Sequence, residues 1–272
     1  MTTKTKQGQF HGATLKSTNL GDLFLCESRY LPDDVLTTHA HEHAFFCLTL
    51  GGGYSETYGR KLRDATPSHL AYHPPGEEHK VEFGHQATRC FNIELREPIF
   101  ASAAGCALPL EAPADLGGEL LALSIRLLAE HRENDSVSPL AAETLCSELL
   151  SGLKQEQEPA TTRHVPHWLE RVRDQLHESF ENPPSLSQLA REASVHPVYL
   201  ARAFRRFFQY SIGDYVRRLR MKEACRRLAD TDQPVADVSL ATGFFDQSHL
   251  TRHFKRQLGT TPARFRRLTQ VT

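Results

Sequence analysis

What this sequence lacks narrows it quickly. None of its apolar runs approaches the roughly 20 residues that a membrane-spanning helix needs, so no membrane partner is expected. The first residues, Met1-Thr2-Thr3-Lys4-Thr5-Lys6-Gln7, start basic but no apolar stretch follows. That does not read as a secretory leader and gives a cytoplasmic expectation. The six cysteines (Cys26, Cys47, Cys90, Cys106, Cys146 and Cys225) include no CxxC pair. This argues against paired zinc cysteines and against the dense disulfide framework of small secreted chains. They are expected to act as small buried hydrophobes. A glycine-rich phosphate loop and a GxSxG elbow are also missing, which closes two common routes to enzymatic chemistry.

What is there is an ordinary globular composition, 39% hydrophobic and 24% charged, which excludes a disordered chain. A length of 272 residues suits two domains. The net charge of −1 conceals a split. Residues 1–162 carry 13 Lys and Arg against 22 Asp and Glu, and residues 163–272 carry 19 against 11, leaving the two parts at −9 and +8. A basic part facing a polyanion and an acidic part with another task would produce this pattern.

From about Gly21 to Leu95, short apolar runs such as Phe45-Phe46-Cys47-Leu48-Thr49-Leu50 and Cys90-Phe91-Asn92-Ile93-Glu94-Leu95 alternate with turn signals. Among the latter are Gly51-Gly52-Gly53 and His73-Pro74-Pro75-Gly76, and the whole predicts a sandwich or barrel of short strands. After Asp115 the period becomes helical. Leu116, Leu120, Leu123, Leu127 and Leu128 form one stripe; Leu140, Leu145, Leu149 and Leu150 form a second beyond a break at Asn134-Asp135-Ser136. Residues 154–166 are polar, aperiodic and carry two prolines, which reads as a linker. Beyond it come short helices only, the first with Trp168, Val172, Leu176 and Phe180 on one side, and the next capped by Ser185.

The last hundred residues contain a repeat. Leu200-Ala201-Arg202-Ala203-Phe204-Arg205-Arg206 returns as Leu250-Thr251-Arg252-His253-Phe254-Lys255-Arg256, each after a short helix holding a small residue, Ala190 or Ser239. The connecting segments have the length and the breakers of a helix-turn-helix. Leu200, Phe204 and Phe207, and then Leu250, Phe254 and Leu258, are the expected core stripes. The opposite faces hold Val198, Ala201, Arg202 and Arg205 in the first copy, and Gln247, Ser248, Thr251, Arg252 and Lys255 in the second. Such faces suit a major groove, where Arg bonds guanine O6 and N7 and Gln bonds adenine. Solvated charge on a helical bundle would explain one copy equally well, but two copies in a basic domain favour DNA. A long helix of about 213–229 between them spans roughly 25 Å and spaces the two readers for successive grooves.

These residues resemble the DNA-binding domain of the AraC family of regulators. The signature runs through Leu189-Ala190, Leu200-x-Arg202-x-Phe204, Val238-x-x-Ala241-Thr242-Gly243-Phe244, Leu250-x-Arg252-x-Phe254-Lys255 and Gly259-x-Thr261-Pro262-x-x-Phe265-Arg266, covering about residues 166–269. Val198 and Ala201 are apolar where the family often has polar or aromatic readers. The resemblance implies sequence-specific transcription regulation with double-stranded DNA, a small-molecule effector, a second copy of the chain and RNA polymerase as partners.

The acidic part holds His39-Ala40-His41-Glu42-His43 and, further on, Pro74-Pro75-Gly76-Glu77-Glu78-His79. Alternation on a strand puts His39 and His41 on one face, and His79 would add a third imidazole. The pair of segments resembles the two motifs of cupin barrels. The acid those motifs place after the HxH falls on Phe45 or Phe46, Glu42 should face away, and the Asn expected after His79 is missing. Three readings stay open: pocket histidines without metal, a divalent metal used for sensing, and a catalytic metal centre. An effector site is expected near His39, His41, Phe46, Tyr72 and His79, with His39, His41 and His79 as metal ligands.

The expected architecture is therefore a two-domain α+β chain. Residues 1–153 form a cupin-like barrel with a helical hairpin for effector binding and dimerisation. Residues 167–272 form an all-α domain with two helix-turn-helix units joined by a long helix. An effector-responsive DNA-binding regulator that is not an enzyme is the expected function; a metal-dependent cupin enzyme with an attached DNA-binding module is the alternative.

Overall fold

In the computed structural model of the chain, residues 3–5, 8–96, 114–133, 139–155 and 165–270 are described. Backbone contacts divide the chain into two compact units. One comprises Met1–Glu158 with Ala229–Thr231 and Phe254–Thr272; the other comprises Pro159–Leu228 and Asp232–His253. Most of the expected linker, the break at Asn134-Asp135-Ser136 and Cys106 lie outside the described residues.

The first unit is built on eleven strands: β1 (Thr3–Thr5), β2 (Ala13–Asn19), β3 (Leu23–Tyr30), β4 (Val35–His41), β5 (Ala44–Gly51) and β6 (Tyr54–Tyr58) come first. They are followed by β7 (Lys61–Ala65), β8 (Leu70–His73), β9 (His79–Phe83), β10 (Thr88–Leu95) and β11 (Ala114–Leu116). They form two sheets, ordered β1-β4-β9-β6-β7 and β11-β8-β5-β10-β3-β2. Every described pairing is antiparallel except β1 on β4, where Thr3, Lys4 and Thr5 lie opposite His39, Ala40 and His41. Tyr30, Phe45, Cys47 and Cys90 of the second sheet and Tyr54, Ala65, Val81 and Phe83 of the first form one buried cluster. The two sheets thus share a core.

The period-2 rule sends the alternate residues of the second sheet, Leu25, Phe46, Leu48, Tyr72, Phe91 and Ile93, to its other face, where all are essentially fully buried. Helix α1 (Gly118–Glu133) lies on that side: the ring of its His131 sits 5.4 Å from Phe91, and its Nδ1 is 3.0 Å from Thr18 Oγ1. Leu120, Leu123, Leu127 and Leu128 are buried as the helical stripe requires. Leu116, expected in the same stripe, instead ends β11, and Gly118 turns the chain into the helix at φ +56°. Helix α2 (Pro139–Gln155) packs against α1 so closely that a Cβ at Gly152 would meet Leu120 Cδ2 at 2.7 Å. The five described cysteines are all buried, and none of them forms a disulfide.

The helices that follow are α3 (His167–Glu178), α4 (Leu186–Glu192), α5 (Pro197–Phe208) and α6 (Ile212–Asp230). After them come α7 (Val235–Ala241), α8 (Gln247–Leu258) and α9 (Pro262–Thr269). Helix α3 buries Leu169, Val172 and Leu176; Val172 and Leu176 are where the stripe was expected, whereas Trp168 is only partly covered with Leu169 buried in its place, and Phe180 lies past the helix end. Ser185 caps α4 in a reciprocal box with Gln188. Leu189, Ala190, Leu200, Ala203 and Phe204 join the α3 stripe and Val216 of α6 in one core.

Candidate functional site

Two sites stand out, one on the helices and one inside the sheet pair. On the helices, α4 and α5 recur as α7 and α8 with the same lengths. The turns begin alike. Ser194 and Gly243 both take left-handed backbone, at φ +55° and +78°, and the next amide returns to the small residue of the first helix: Val195 N–H to Ala190 O at 2.9 Å, Phe244 N–H to Ser239 O at 3.0 Å. Those small residues are buried, which lets the second helix cross close over the first. His196 accepts from Val198 N–H at the start of α5, and Asp246 accepts from His249 N–H at the start of α8.

The expected faces separate as the 3.6 period requires. Leu200, Phe204, Leu250, Phe254 and Leu258 are buried; Phe207 is only half-buried. Val198, Arg202, Arg205, Gln247, Ser248, Arg252 and Lys255 are exposed, with Ala201 and Thr251 half-exposed beside them. Two exposed aromatic residues on the same elements escaped the sequence reading. Tyr199, 58% exposed, stacks with Trp168 at 5.9 Å, and Phe245 is 83% exposed.

Inside the sheet pair, β4 and β9 place His39 directly opposite His79, so their rings lie 4.3 Å apart. His41, two residues on, brings its ring within 5.3 Å of His39 and 5.5 Å of His79. One nitrogen from each of the three falls within 4.8 Å of the others. His39 Nδ1 lies 2.8 Å from Thr37 O and His79 Nδ1 lies 3.1 Å from Glu77 O. A carbonyl only accepts, so both Nδ1 atoms carry hydrogen and both Nε2 lone pairs are left for the cavity. Burial is the main force lowering the pKa of each: His41 falls to about 2 and His79 to about 4, helped by their imidazole neighbours, and His39 also falls. The rings are neutral near pH 7, the form that ligates metal.

A second set shares His79. Glu56 of β6 and His73 of β8 lie with it inside the same 4.8 Å limit, Glu56 Oε1 being 3.4 Å from His73 Nδ1 and 3.9 Å from His79 Nε2. Arg63 of β7 is 3.5 Å from Glu56 Oε2 and is buried with it. Neither Glu56 nor His73 was expected here. The signal existed: Tyr54, Glu56 and Tyr58 share the alternate positions of one strand, and the inward parity of β6 carries Glu56 with Tyr54.

Two expected residues belong elsewhere. Phe46 and Tyr72 pair across β5 and β8 at 5.4 Å on the outer face of their sheet and do not line the cavity. Their neighbours Phe45 and His73 do, stacked at 4.3 Å. The choice of aromatic was one residue out on each strand, which on a period of two is the wrong face. The cavity itself is about 40 Å³. A water-sized body needs roughly 10–15 Å³ on this measure, so the space suits an ion with a water or two. The donor set fits such an ion; a ligand of inducer size would have to displace side chains.

A protein-family model described as a helix-turn-helix domain matches residues 189–268. The probable transcription factor PqrA of Proteus vulgaris is 36% identical over 81 residues, which is 30% of this chain and 66% of that protein. The regulatory protein SoxS of Escherichia coli K12 is 30% identical over 91 residues, 34% of this chain and 85% of SoxS. Among solved structures, ToxT of Vibrio cholerae O395 aligns with 92% of this chain and 99% of its own at 9% identity and a TM-score of 0.39.

Proposed function

Because the chain belongs to the AraC family of transcription regulators, we propose that it reads double-stranded DNA with two helix-turn-helix units and regulates transcription in response to an effector. The observation that carries this is the duplicated turn, which presents two helices with buried apolar stripes and exposed polar faces. In the first unit Val198, Ala201, Arg202 and Arg205 face the groove; in the second, Gln247, Ser248, Thr251, Arg252 and Lys255 do. Arg252 and Gln247 have the donor patterns for guanine and adenine, and Lys255 suits a phosphate.

The proposed division is an effector and dimerisation domain at 1–153, a linker at 154–166 and a DNA-binding domain at 167–272. Within the first, a cupin-like barrel holds the effector site and the hairpin of α1 and α2 supports a homodimer. His39 and His79 through Nε2, together with His41, would hold a divalent metal ion, and the ion would bring positive charge to a buried cluster whose imidazoles are neutral. RNA polymerase is the protein partner this role implies.

Binding-site selection from random duplexes by the purified chain tests the reading, repeated with Arg252→Ala. A recovered consensus whose preference relaxes at one base pair in the variant, with a loss of about 1–3 kcal/mol, supports it. Equal weakening on consensus and random DNA would show Arg252 on a phosphate, and failure to enrich any sequence would remove specific DNA reading altogether.

A further inference from the structure

The two helix-turn-helix units are not quite identical, and the difference is one residue. Helix α4 recurs 49 positions later as α7, whereas α5 recurs 50 positions later as α8. The turn geometry locates the insertion. Val195 and Phe244 correspond, since each returns its amide to the small residue of the preceding helix. His196 and Asp246 correspond too, since each caps the helix that follows. Phe245 is what lies between Phe244 and Asp246, and it has no counterpart in the first unit.

That inserted residue is the most exposed large hydrophobic side chain among the described residues, at 83%. Loose structure does not account for its exposure. Phe244 beside it is buried, with its ring 5.4 Å from that of His249 and 5.7 Å from that of His253. Phe245 N–H donates to His249 Nδ1 at 3.3 Å, and Leu250 N–H bonds Asp246 O at 3.1 Å. The backbone on both sides is fastened, so the ring projects from a fixed point and binding need not order the chain beneath it. It sits at the N-terminal end of α8, the end from which a helix-turn-helix presents its side chains to base edges, next to the exposed Gln247 and Ser248 and on the helix of Arg252 and Lys255. In the major groove the apolar feature is the C5 methyl of thymine.

We propose that Phe245 is a specificity-determining residue of the second unit that recognises a thymine methyl group in the major groove. This rests on the DNA-binding reading above. The polar and basic residues around the ring, in a part of the chain that carries 19 Lys and Arg against 11 Asp and Glu, favour DNA over an apolar protein partner.

The test uses the full chain and the best duplex recovered by binding-site selection. Each thymine is replaced in turn by deoxyuridine, which removes only the methyl, and binding is followed by fluorescence anisotropy. One buried methyl group is worth about fourfold in affinity, so wild type should lose about that much at one or two positions. Phe245→Ala should bind the parent duplex more weakly, keep its affinity for random DNA, and lose the uridine penalty at those positions. Phe245→Leu, which keeps an apolar contact, should retain most of the penalty, and it guards against a folding defect in the alanine variant. Uridine penalties that are the same in wild type and Phe245→Ala overturn the assignment. So does unchanged affinity of Phe245→Ala for the parent duplex, which would leave the ring as a contact for another protein. A selection that enriches no sequence removes the DNA reading and this inference together, whereas a consensus without methyl coupling removes this inference alone.

Discussion

Replacing Gly243 with alanine separates two reasons a turn can need glycine. Its φ of +78° lies in the left-handed region, but so does the +55° of Ser194 at the matching place in the first unit. A serine holds that conformation there, so backbone preference alone, about 1–2 kcal/mol for a residue with a Cβ, does not account for glycine in the second turn. The surroundings do. A Cβ on Gly243 would lie 2.6 Å from the Glu181 carbonyl oxygen and 2.8 Å from Arg220 Nε. Arg220 is not free to swing aside, because it donates to Phe180 O at 2.8 Å and to Glu181 O at 3.0 Å. Hydrogen bonds from a charged group are worth about 1.5–3 kcal/mol each when buried, and less here, where the guanidinium is partly exposed. Losing or distorting one of them, added to the conformational cost, gives about 3 kcal/mol for Gly243→Ala. The one tryptophan, Trp168, is partly buried in the same unit, so urea unfolding followed by its fluorescence reads the change. Ser194→Gly measures the backbone part alone and should stabilise by about 1 kcal/mol at most. The packing argument fails if the alanine variant costs no more than the glycine variant gains.

Ser239 Oγ is buried at the helix crossing with no hydrogen-bond partner among the described residues. Ser239→Ala should therefore be neutral or stabilising, by up to about 1 kcal/mol, in the same urea assay; a clear loss would show that the hydroxyl has a role in the fold. His131 is held by burial at a pKa of about 4 instead of 6.5; Glu27 opposes this shift, and Lys16 and Arg132 reinforce it. Its contribution to stability is complete above pH 6.5 and is lost as the pH falls from there to about 4. A His131→Asn variant should lose less stability than wild type on acidification across that window, as followed by thermal unfolding, and equal losses would refute this. For the cavity, zinc titration of metal-free protein should reach one ion per chain, and the folded His41→Ala, His79→Ala double variant should bind none at the same concentrations. Unchanged stoichiometry would move the site elsewhere.

The helices were legible because their evidence is repeated. The same spacing of Leu, Arg and Phe occurs twice, and the turn breakers and Ser185 mark where helices start and stop. The strands were legible as runs, with 45–50 inside β5 and 90–95 inside β10. Which face of a strand turns inward was harder to read. In β5 every residue from Ala44 to Gly51 is buried, since one face turns to the cavity side and the other is covered as well. With both faces covered, alternation vanishes from the sequence, and Phe45 and Phe46 cannot be told apart by hydrophobicity. Glu56 was missed for the opposite reason. It is a charged residue at an inward position, and its place makes sense only once β7, β8 and β9 bring Arg63, His73 and His79 around it.

The size of the cavity bears on how an effector would act. A ligand changes DNA binding only through different affinities for two states of the protein, not through tight binding alone. Ligand pockets for molecules of inducer size run to roughly 300–1,000 Å³, and the space among the histidines is about 40 Å³. Such a molecule would fit only by moving side chains that line the cavity, Phe10 and Phe45 among them, whose rings meet at 5.4 Å. An ion needs no such opening. It would tie His39 and His41 of β4 to His79 of β9, across a pairing that breaks register between Leu36 and His39. Both of its β4 ligands, His39 and His41, also lie opposite β1 on the other edge of that strand. Coordination is sensitive to tenths of an ångström in donor position, so an ion would favour the arrangement of β4 and β9 that brings the three imidazoles together over one that separates them. An ion-sized ligand can therefore have the differential affinity that regulation requires, and it finds the necessary donors already in place.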